Sequence, residues 1–275
     1  MYNLKIIKSG DRLEIFKINN YIIKKKADEE LHEPLDESIK AIQKELRKER
    51  REKNINKKDR KRSLKDAKNH IMRLVRANED MKTFITLTFK EEKDYKESKK
   101  YLNIFFTKLR RVYKDLKYLW CLEYGDRTQR LHFHVLCNIP INIKLSKSNT
   151  RKNEKHKALE NYFEKHYWPY GIIDIRELGQ EENTNVALYI SSYITKSMAD
   201  KNLEGYRIYG YSHKTLNKPL VTTCYTKEDI KEILEKFEGY KINYCNSYQI
   251  GYKDHKGMVN YYDLEKNEKL KNDRL

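Results

Sequence analysis

Tyr118-Leu119-Trp120-Cys121-Leu122-Glu123-Tyr124 and Leu131-His132-Phe133-His134-Val135-Leu136-Cys137-Asn138-Ile139 flank Gly125-Asp126-Arg127. Two apolar, aromatic and β-branched runs around a turn signal read as a β-hairpin. Alternate side chains of a strand point to opposite faces, so His132 and His134 emerge together, about 6.5–7 Å apart at Cα. Phe133, Val135 and Cys137 point the other way, into a core. Glu123, nine positions before His132, lies on the paired strand, and a short turn near Asp126 to Gln129 brings it across from the histidines. Two imidazoles, one carboxylate and open positions suit Mg²⁺ or Mn²⁺ held for work on a phosphate, without excluding zinc. Alone, His-x-His is more often two half-exposed imidazoles on a sheet, and a glutamate is most often a surface carboxylate. The neighbouring elements decide.

Upstream, Met81 to Lys90 is the clearest strand in the chain, with β-branched and aromatic residues that suit a buried sheet position. Residues 94–114 follow with helical periodicity, placing Tyr101, Leu102, Phe105, Phe106 and Leu109 on one stripe. Downstream, Lys147 to Lys157 reads as a polar loop, and Leu159 to His166 as a short helix. Gly171 to Leu178 alternates like a strand. Val186 to Met198 reads as a helix capped by Asn183 or Asn185. At the N-terminal side, Leu4 to Ile7 and Leu13 to Ile23 are strands about the turn Ser9-Gly10-Asp11, and Asp36 to Asn78 is helical with an interruption near residues 54–56. Beyond Asp200 there is a Tyr-rich stretch, a helix from Glu228 to Phe237, short strands and a charged tail. The order strand, helix, hairpin, strand, helix predicts an antiparallel sheet with helices packed on it, an α+β class. Three segments are expected: an N-terminal hairpin with a basic helical extension (1–77), a central domain (78–222) and a C-terminal α/β extension (223–275).

Charge narrows the partners. Among 275 residues, 59 Lys and Arg stand against 41 Asp and Glu, for a net +18, which favours a polyanion. Lys44 to Lys65 holds twelve basic and four acidic residues, a net +8; it is either a solvated helical face or an arm that tracks phosphates. The abundance of Lys, Ile, Asn and Tyr also fits an AT-rich genome, so charge alone carries no function. No run of about 18 apolar residues occurs, and the first residues hold no signal-type apolar segment, so a cytoplasmic location with no membrane contact is expected. Cys121, Cys137, Cys224 and Cys245 form no Cys-x-x-Cys pair; they read as small buried hydrophobes rather than a zinc ribbon or disulfide framework.

Tyr189-Ile190-Ser191-Ser192-Tyr193-Ile194-Thr195-Lys196 adds a second chemical element. On a helix Tyr189 and Tyr193 share a face one turn apart, and Lys196 continues it. A tyrosine hydroxyl has a pKa of about 10; an ammonium and a metal-polarised phosphate are the help it needs to act as a nucleophile. With 22 tyrosines in the chain, isolated ones mean little. A Tyr-x-x-x-Tyr-x-x-Lys helix after a His-x-His hairpin means more.

In this order, Phe84-Ile-Thr-Leu-Thr-Phe89, Glu123 to His134 and Tyr189 to Lys196 resemble the rolling-circle replication initiators of the HUH endonuclease superfamily, in particular the replication-associated proteins of bacterial plasmids and single-stranded DNA phages. Residues 78 to about 220 follow the pattern, with Asn78, Trp168-Pro-Tyr-Gly171, Tyr211-Ser212 and Lys218-Pro219 also similar. The resemblance implies a five-stranded antiparallel sheet flanked by helices, the HUH endonuclease fold related to the RNA-recognition fold. It implies His132, His134 and Glu123 as ligands of Mg²⁺ or Mn²⁺, Tyr193 as the nucleophile, Tyr189 as its partner tyrosine and Lys196 as the lysine that positions phosphate or tyrosine. Ser192, where related phage proteins often carry Lys, leaves open whether Tyr189 is a second nucleophile or packs. Relaxases carry the tyrosine ahead of the histidines, unlike this chain. The implied activity is nicking and joining of single-stranded or origin-hairpin DNA through a 5′-phosphotyrosine. A transposase of the same superfamily and a DNA-binding protein without catalysis are the alternatives. No Gly-x-x-x-x-Gly-Lys-Ser/Thr occurs, so a host helicase and polymerase are the expected partners.

Overall fold

The computed structural model describes residues 2–22, 57–125, 130–146, 152–179, 185–199, 203, 205–252 and 255–267. Along the chain these form β1 (Tyr2–Ser9), β2 (Arg12–Ile22), α1 (Lys57–Arg76), β3 (Thr83–Phe89), α2 (Tyr95–Val112), β4 (Tyr118–Tyr124), β5 (Leu131–Cys137), α3 (Glu154–His166), β6 (Gly171–Glu177), α4 (Val186–Ala199), β7 (Tyr209–Tyr211), β8 (Leu220–Cys224), α5 (Ile230–Glu235), β9 (Tyr240–Tyr252) and β10 (His255–Lys266). The class is α+β, with two antiparallel five-stranded sheets. The chain divides into two compact units, residues 67–218 and residues 1–66 with 219–275. Of the basic arm read at 44–65, residues 44–56 lie outside the described residues, and α1 begins at Lys57.

In the unit of residues 67–218 the strand order is β6-β3-β5-β4-β7, so the histidine strand β5 is central. One face is apolar. Asp94 caps α2 by accepting from Glu97 N at 2.7 Å, and the helix buries Leu102, Phe105, Phe106 and Leu109. Phe89, Phe133, Val135, Leu87 and Trp168 are also fully buried, with the Phe89 and Trp168 rings 4.9 Å apart. Each such side chain contributes roughly 1.5–3 kcal/mol of transfer free energy.

The edge strand β6 is managed by α3. This helix starts earlier than its apolar pattern indicates, because Asn153 caps it by accepting from His156 N at 2.8 Å, and the polar residues after it form the first turn. Glu164 and Glu160 accept from the backbone N–H of Ile173 and Ile175, both at 2.9 Å. His156 Nε2 lies 2.9 Å from the Ile175 carbonyl. Side chains thus satisfy an edge that would otherwise offer itself to another strand. Gly171 is required where β6 meets β3: a Cβ there would lie 1.7 Å from the Thr88 carbonyl oxygen. Asn78 ties the start of this unit to its end, donating to Asn217 O at 2.9 Å and accepting from Asn217 N at 2.9 Å.

In the other unit the order is β8-β1-β2-β10-β9. The N-terminal hairpin and the C-terminal strands, read as separate extensions, share this sheet: β2 pairs with β10, Phe16 opposite Tyr261. Leu4, Leu13, Ile15 and Leu264 pack with Ile233 of α5, a one-and-a-half-turn helix opened by a capping box of Asp229 and Glu232. The C-terminal strands are long, 13 and 12 residues, rather than short. Asn246 and Ser247 break the apolar alternation of β9, and pairing with Tyr261 and Asn260 of β10 carries the strand through them. Cysteines need a correction too. Cys121 and Cys137 are buried, whereas Cys224 and Cys245 are exposed, because they sit on the outer strands β8 and β9.

Candidate active site

The second face of the central sheet carries a polar ladder. Cross-strand register places Thr86, His134 and Cys121 in one row, and Thr88, His132 and Glu123 in the next. This is the face the alternation in β5 assigns to the histidines. It is not an open surface, because α4 lies over it and leaves His134 and Glu123 each only 7% exposed. Asn185 provides the helix cap, accepting from Leu188 N at 3.0 Å; Asn183 lies outside the described residues, as does the hairpin turn at 126–129.

Each histidine is held through Nδ1. His134 Nδ1 lies 3.2 Å from Thr86 Oγ1, and His132 Nδ1 lies 2.8 Å from Thr88 Oγ1. In the tautomer with hydrogen on Nδ1, the threonine oxygen accepts and Nε2 keeps the lone pair a metal needs. Burial, His134, Lys196 and Arg130 hold His132 below the ordinary imidazole range, with Glu123 pulling the other way. The neutral form is therefore favoured, and it is the ligating one.

The structure brings two of the three expected ligands together. His134 Nε2 lies 3.0 Å from Glu123 Oε1, but that approach does not make a hydrogen bond. His134 Nε2 and Glu123 Oε2 are both buried without a hydrogen-bond partner among the described residues. Leaving such groups unsatisfied costs about 1–3 kcal/mol each, and a cation between imidazole and carboxylate answers both deficits. The donor set fits Mg²⁺ or Mn²⁺ and also zinc. His132 is set apart: its Nε2 packs where a Cβ on Gly125 would fall, 2.3 Å away. Among the described residues no three His, Cys, Asp or Glu side chains form a group that could hold a metal ion.

The tyrosine helix meets this ladder. The Tyr193 ring lies 4.0 Å from the His134 ring and 5.6 Å from Phe84. Tyr189 packs edge-on to Phe84 at 5.4 Å. The Tyr193 hydroxyl donates to the Tyr189 hydroxyl at 2.6 Å, and Lys196 Nζ lies 3.8 Å from Glu123 Oε1. Burial, the Tyr189 hydrogen bond and the Glu123 charge hold the Tyr193 hydroxyl well above the usual tyrosine range, with Arg176 opposing. At rest Tyr193 is a protonated phenol.

Three supporting residues escaped the sequence reading. Phe84, Thr86 and Thr88 were legible only as part of a buried strand, yet the period of two in Phe84-Ile-Thr-Leu-Thr-Phe89 puts all three on the histidine face.

Residues 82–198 match the family model described as Replication-associated protein ORF2. No curated protein matches, and no solved structure matches. The matched span holds every residue of the site just described and less than half of the chain. Over that span the chain is similar to replication-associated proteins, which supports a role in replication initiation.

Proposed function

We propose that the chain is an HUH-type initiator that nicks and rejoins single-stranded DNA through Tyr193, the site unit taking the HUH endonuclease fold. The observation that carries this reading is the convergence of Tyr189, Tyr193 and Lys196 on His134 and Glu123, from elements more than fifty residues apart in the chain. A structural tyrosine pair needs neither a buried carboxylate nor a histidine with an unsatisfied Nε2 beneath it.

In this mechanism Tyr193 Oη attacks the phosphorus of one phosphodiester in line. The Oη–P bond forms, the P–O3′ bond breaks with its electron pair going to the 3′-oxygen, and the phenol proton is balanced by the proton that oxygen gains. The products are a free 3′-hydroxyl, which primes replication, and a 5′-phosphotyrosine. Because the phosphodiester energy is retained in the new ester, no ATP is consumed and the step reverses. His134 and Glu123, completed by His132, would hold Mg²⁺ or Mn²⁺. Bound there, the metal supplies Lewis-acid polarisation of the non-bridging oxygens. Lys196 neutralises Glu123 and lowers the cost of charge on Tyr193. The 2.6 Å contact between the hydroxyls supports Tyr189 as a second nucleophile, placed to cut after one round while Tyr193 holds the first end. Host helicase and polymerase would supply unwinding and synthesis. Among the described residues no helix is long and apolar enough to cross a membrane, and we place this chemistry in the bacterial cytoplasm.

The test mixes the purified protein with a pool of single-stranded DNA circles and Mn²⁺ and looks for a denaturation-resistant protein–DNA adduct. An adduct lost in Tyr193→Phe and in His134→Ala supports the mechanism, and Tyr189→Phe then counts the nucleophiles. Tight DNA binding without any adduct, across metals and pools, overturns it in favour of a binding protein.

A further inference from the structure

We propose that Arg176 is a further catalytic residue of this site, its guanidinium holding the non-bridging oxygens of the phosphodiester that Tyr193 attacks. The proposal rests on the nicking reading above and adds a residue outside the histidine and tyrosine motifs.

Position comes first. Arg176 lies on β6 opposite Phe84 of β3, on the face that carries the histidines, and the Phe84 ring supports both tyrosines. In the order β6-β3-β5-β4, Tyr193 stacks over the two inner strands, on Phe84 and His134. The Lys196–Glu123 pair stands on the β4 side and Arg176 on the β6 side. The two cations bracket the nucleophile, as a phosphate with two charged oxygens requires. Arg176 also acts on Tyr193 itself, its charge favouring the tyrosinate against burial and Glu123.

Support comes second. Arg176 Nε donates to Asp174 Oδ2 at 2.7 Å. Asp174 Oδ1 accepts from Lys152 Nζ at 2.6 Å, and Lys152 donates also to Glu160 Oε1 at 2.6 Å. Glu160 is fixed in turn by the Ile175 N–H. This chain of alternating charge is mostly buried, whereas the Arg176 side chain is 41% exposed. An isolated surface pair fixes little; here the carboxylate that holds Nε is itself held on its other oxygen. The nitrogen used is the inner one, and the terminal pair is what a phosphate takes bidentately. In the step, Arg176 keeps its protons. It stabilises charge on the phosphoryl oxygens while Oη–P forms and P–O3′ breaks.

The test has two readouts. The junction recovered from the adduct of the parent with single-stranded circles defines an oligonucleotide, on which single-turnover adduct formation is timed for the parent, Arg176→Ala and Arg176→Lys. Separately, binding of a dT₂₀ oligonucleotide is followed by anisotropy in EDTA across a salt series. Arg176→Ala should slow adduct formation about 10²-fold and reduce the slope of log K against log salt by about 0.7, one phosphate contact. Arg176→Lys should regain the slope but stay at least tenfold slow. Arg176→Ala within twofold of a reactive parent, with an unchanged slope, overturns the proposal alone; if that variant fails to fold, Arg176→Lys at the parental rate does so. A parent that forms no adduct overturns the nicking reading and this assignment with it.

Discussion

The two five-stranded sheets solve the same covering problem differently. The sheet of β3 to β7 is covered on one face by α2 and on the other, over the ladder, by α4. The sheet of β1, β2, β8, β9 and β10 packs the six-residue helix α5 against a core of five buried side chains and leaves Tyr244 and Ile242 more than half exposed. Yet it is the better-covered sheet that contains buried polar atoms without partners, at His134 and Glu123. Burial there does not simply serve stability. It removes water from groups whose unmet valences are the working part of the molecule, a trade that proteins make at functional sites.

The sharpest way to break this contrast is chemical. Tyr193→Phe or His134→Ala should lower adduct formation by about 10³-fold or more, a loss of at least ~4 kcal/mol in transition-state stabilisation. Tyr244→Ala with Tyr248→Ala, on the other sheet, should leave the rate on a short oligonucleotide within threefold, measured by denaturing gel. A large loss from the second pair would end the division of labour.

Next comes packing. Phe133, fully buried between Trp120 and Phe89, should cost about 3–5 kcal/mol when truncated to Ala, seen as a drop in the urea midpoint. Smaller in size but opposite in sign is Glu123→Gln. Removing a buried charge with an unsatisfied oxygen should stabilise the metal-free protein by about 1 kcal/mol. Mn²⁺ should raise the Tm of the parent and not that of the variant, by scanning calorimetry with and without EDTA. Destabilisation by Glu123→Gln in EDTA would mean that the carboxylate is structural.

The smallest expected effect concerns Lys99, whose Nζ lies 3.5 Å from the centroid of a Trp120 ring. Burial, and then Arg207, push its pKa down to about 8. An unfolded lysine keeps its proton to about pH 10.4. Between these values the unfolded chain binds the extra proton, so stability rises with pH, and below pH 8 the cost of the buried ammonium is borne in full. Lys99→Met should therefore stabilise at pH 7 by about 1 kcal/mol, net of the lost cation–π contact, and the gain should fade toward pH 10. Urea titrations at pH 7 and pH 10 measure this directly.

What could be read in advance follows the range of the interaction. The hairpin of β4 and β5, the tyrosine helix and the helix stripe at Leu102, Phe105, Phe106 and Leu109 are local periodicities, and they stand where the residues place them. The separation of His132 from the His134–Glu123 pair was not legible, because it depends on ring rotation against Thr88 and Gly125 rather than on strand alternation. Arg176 was hidden for a similar reason: nothing in Gly-Ile-Ile-Asp-Ile-Arg-Glu announces that its neighbour across the sheet is the ring beneath two tyrosines. The pairing of β2 with β10 joins residues more than two hundred positions apart, a relation that no window along the chain contains.

The bonds between Asn78 and Asn217 bear on how the protein is made. They close the site unit at both its chain ends, and that whole unit is encoded between β2 and β8. During synthesis the site unit can be complete while β1 and β2 still wait for their sheet partners. At 5–20 residues per second that delay is roughly 10–40 s. For this interval the newborn hairpin carries an unpaired edge at Phe16 and Ile18, so chaperone capture on the ribosome should concentrate on the first strands rather than on the catalytic half.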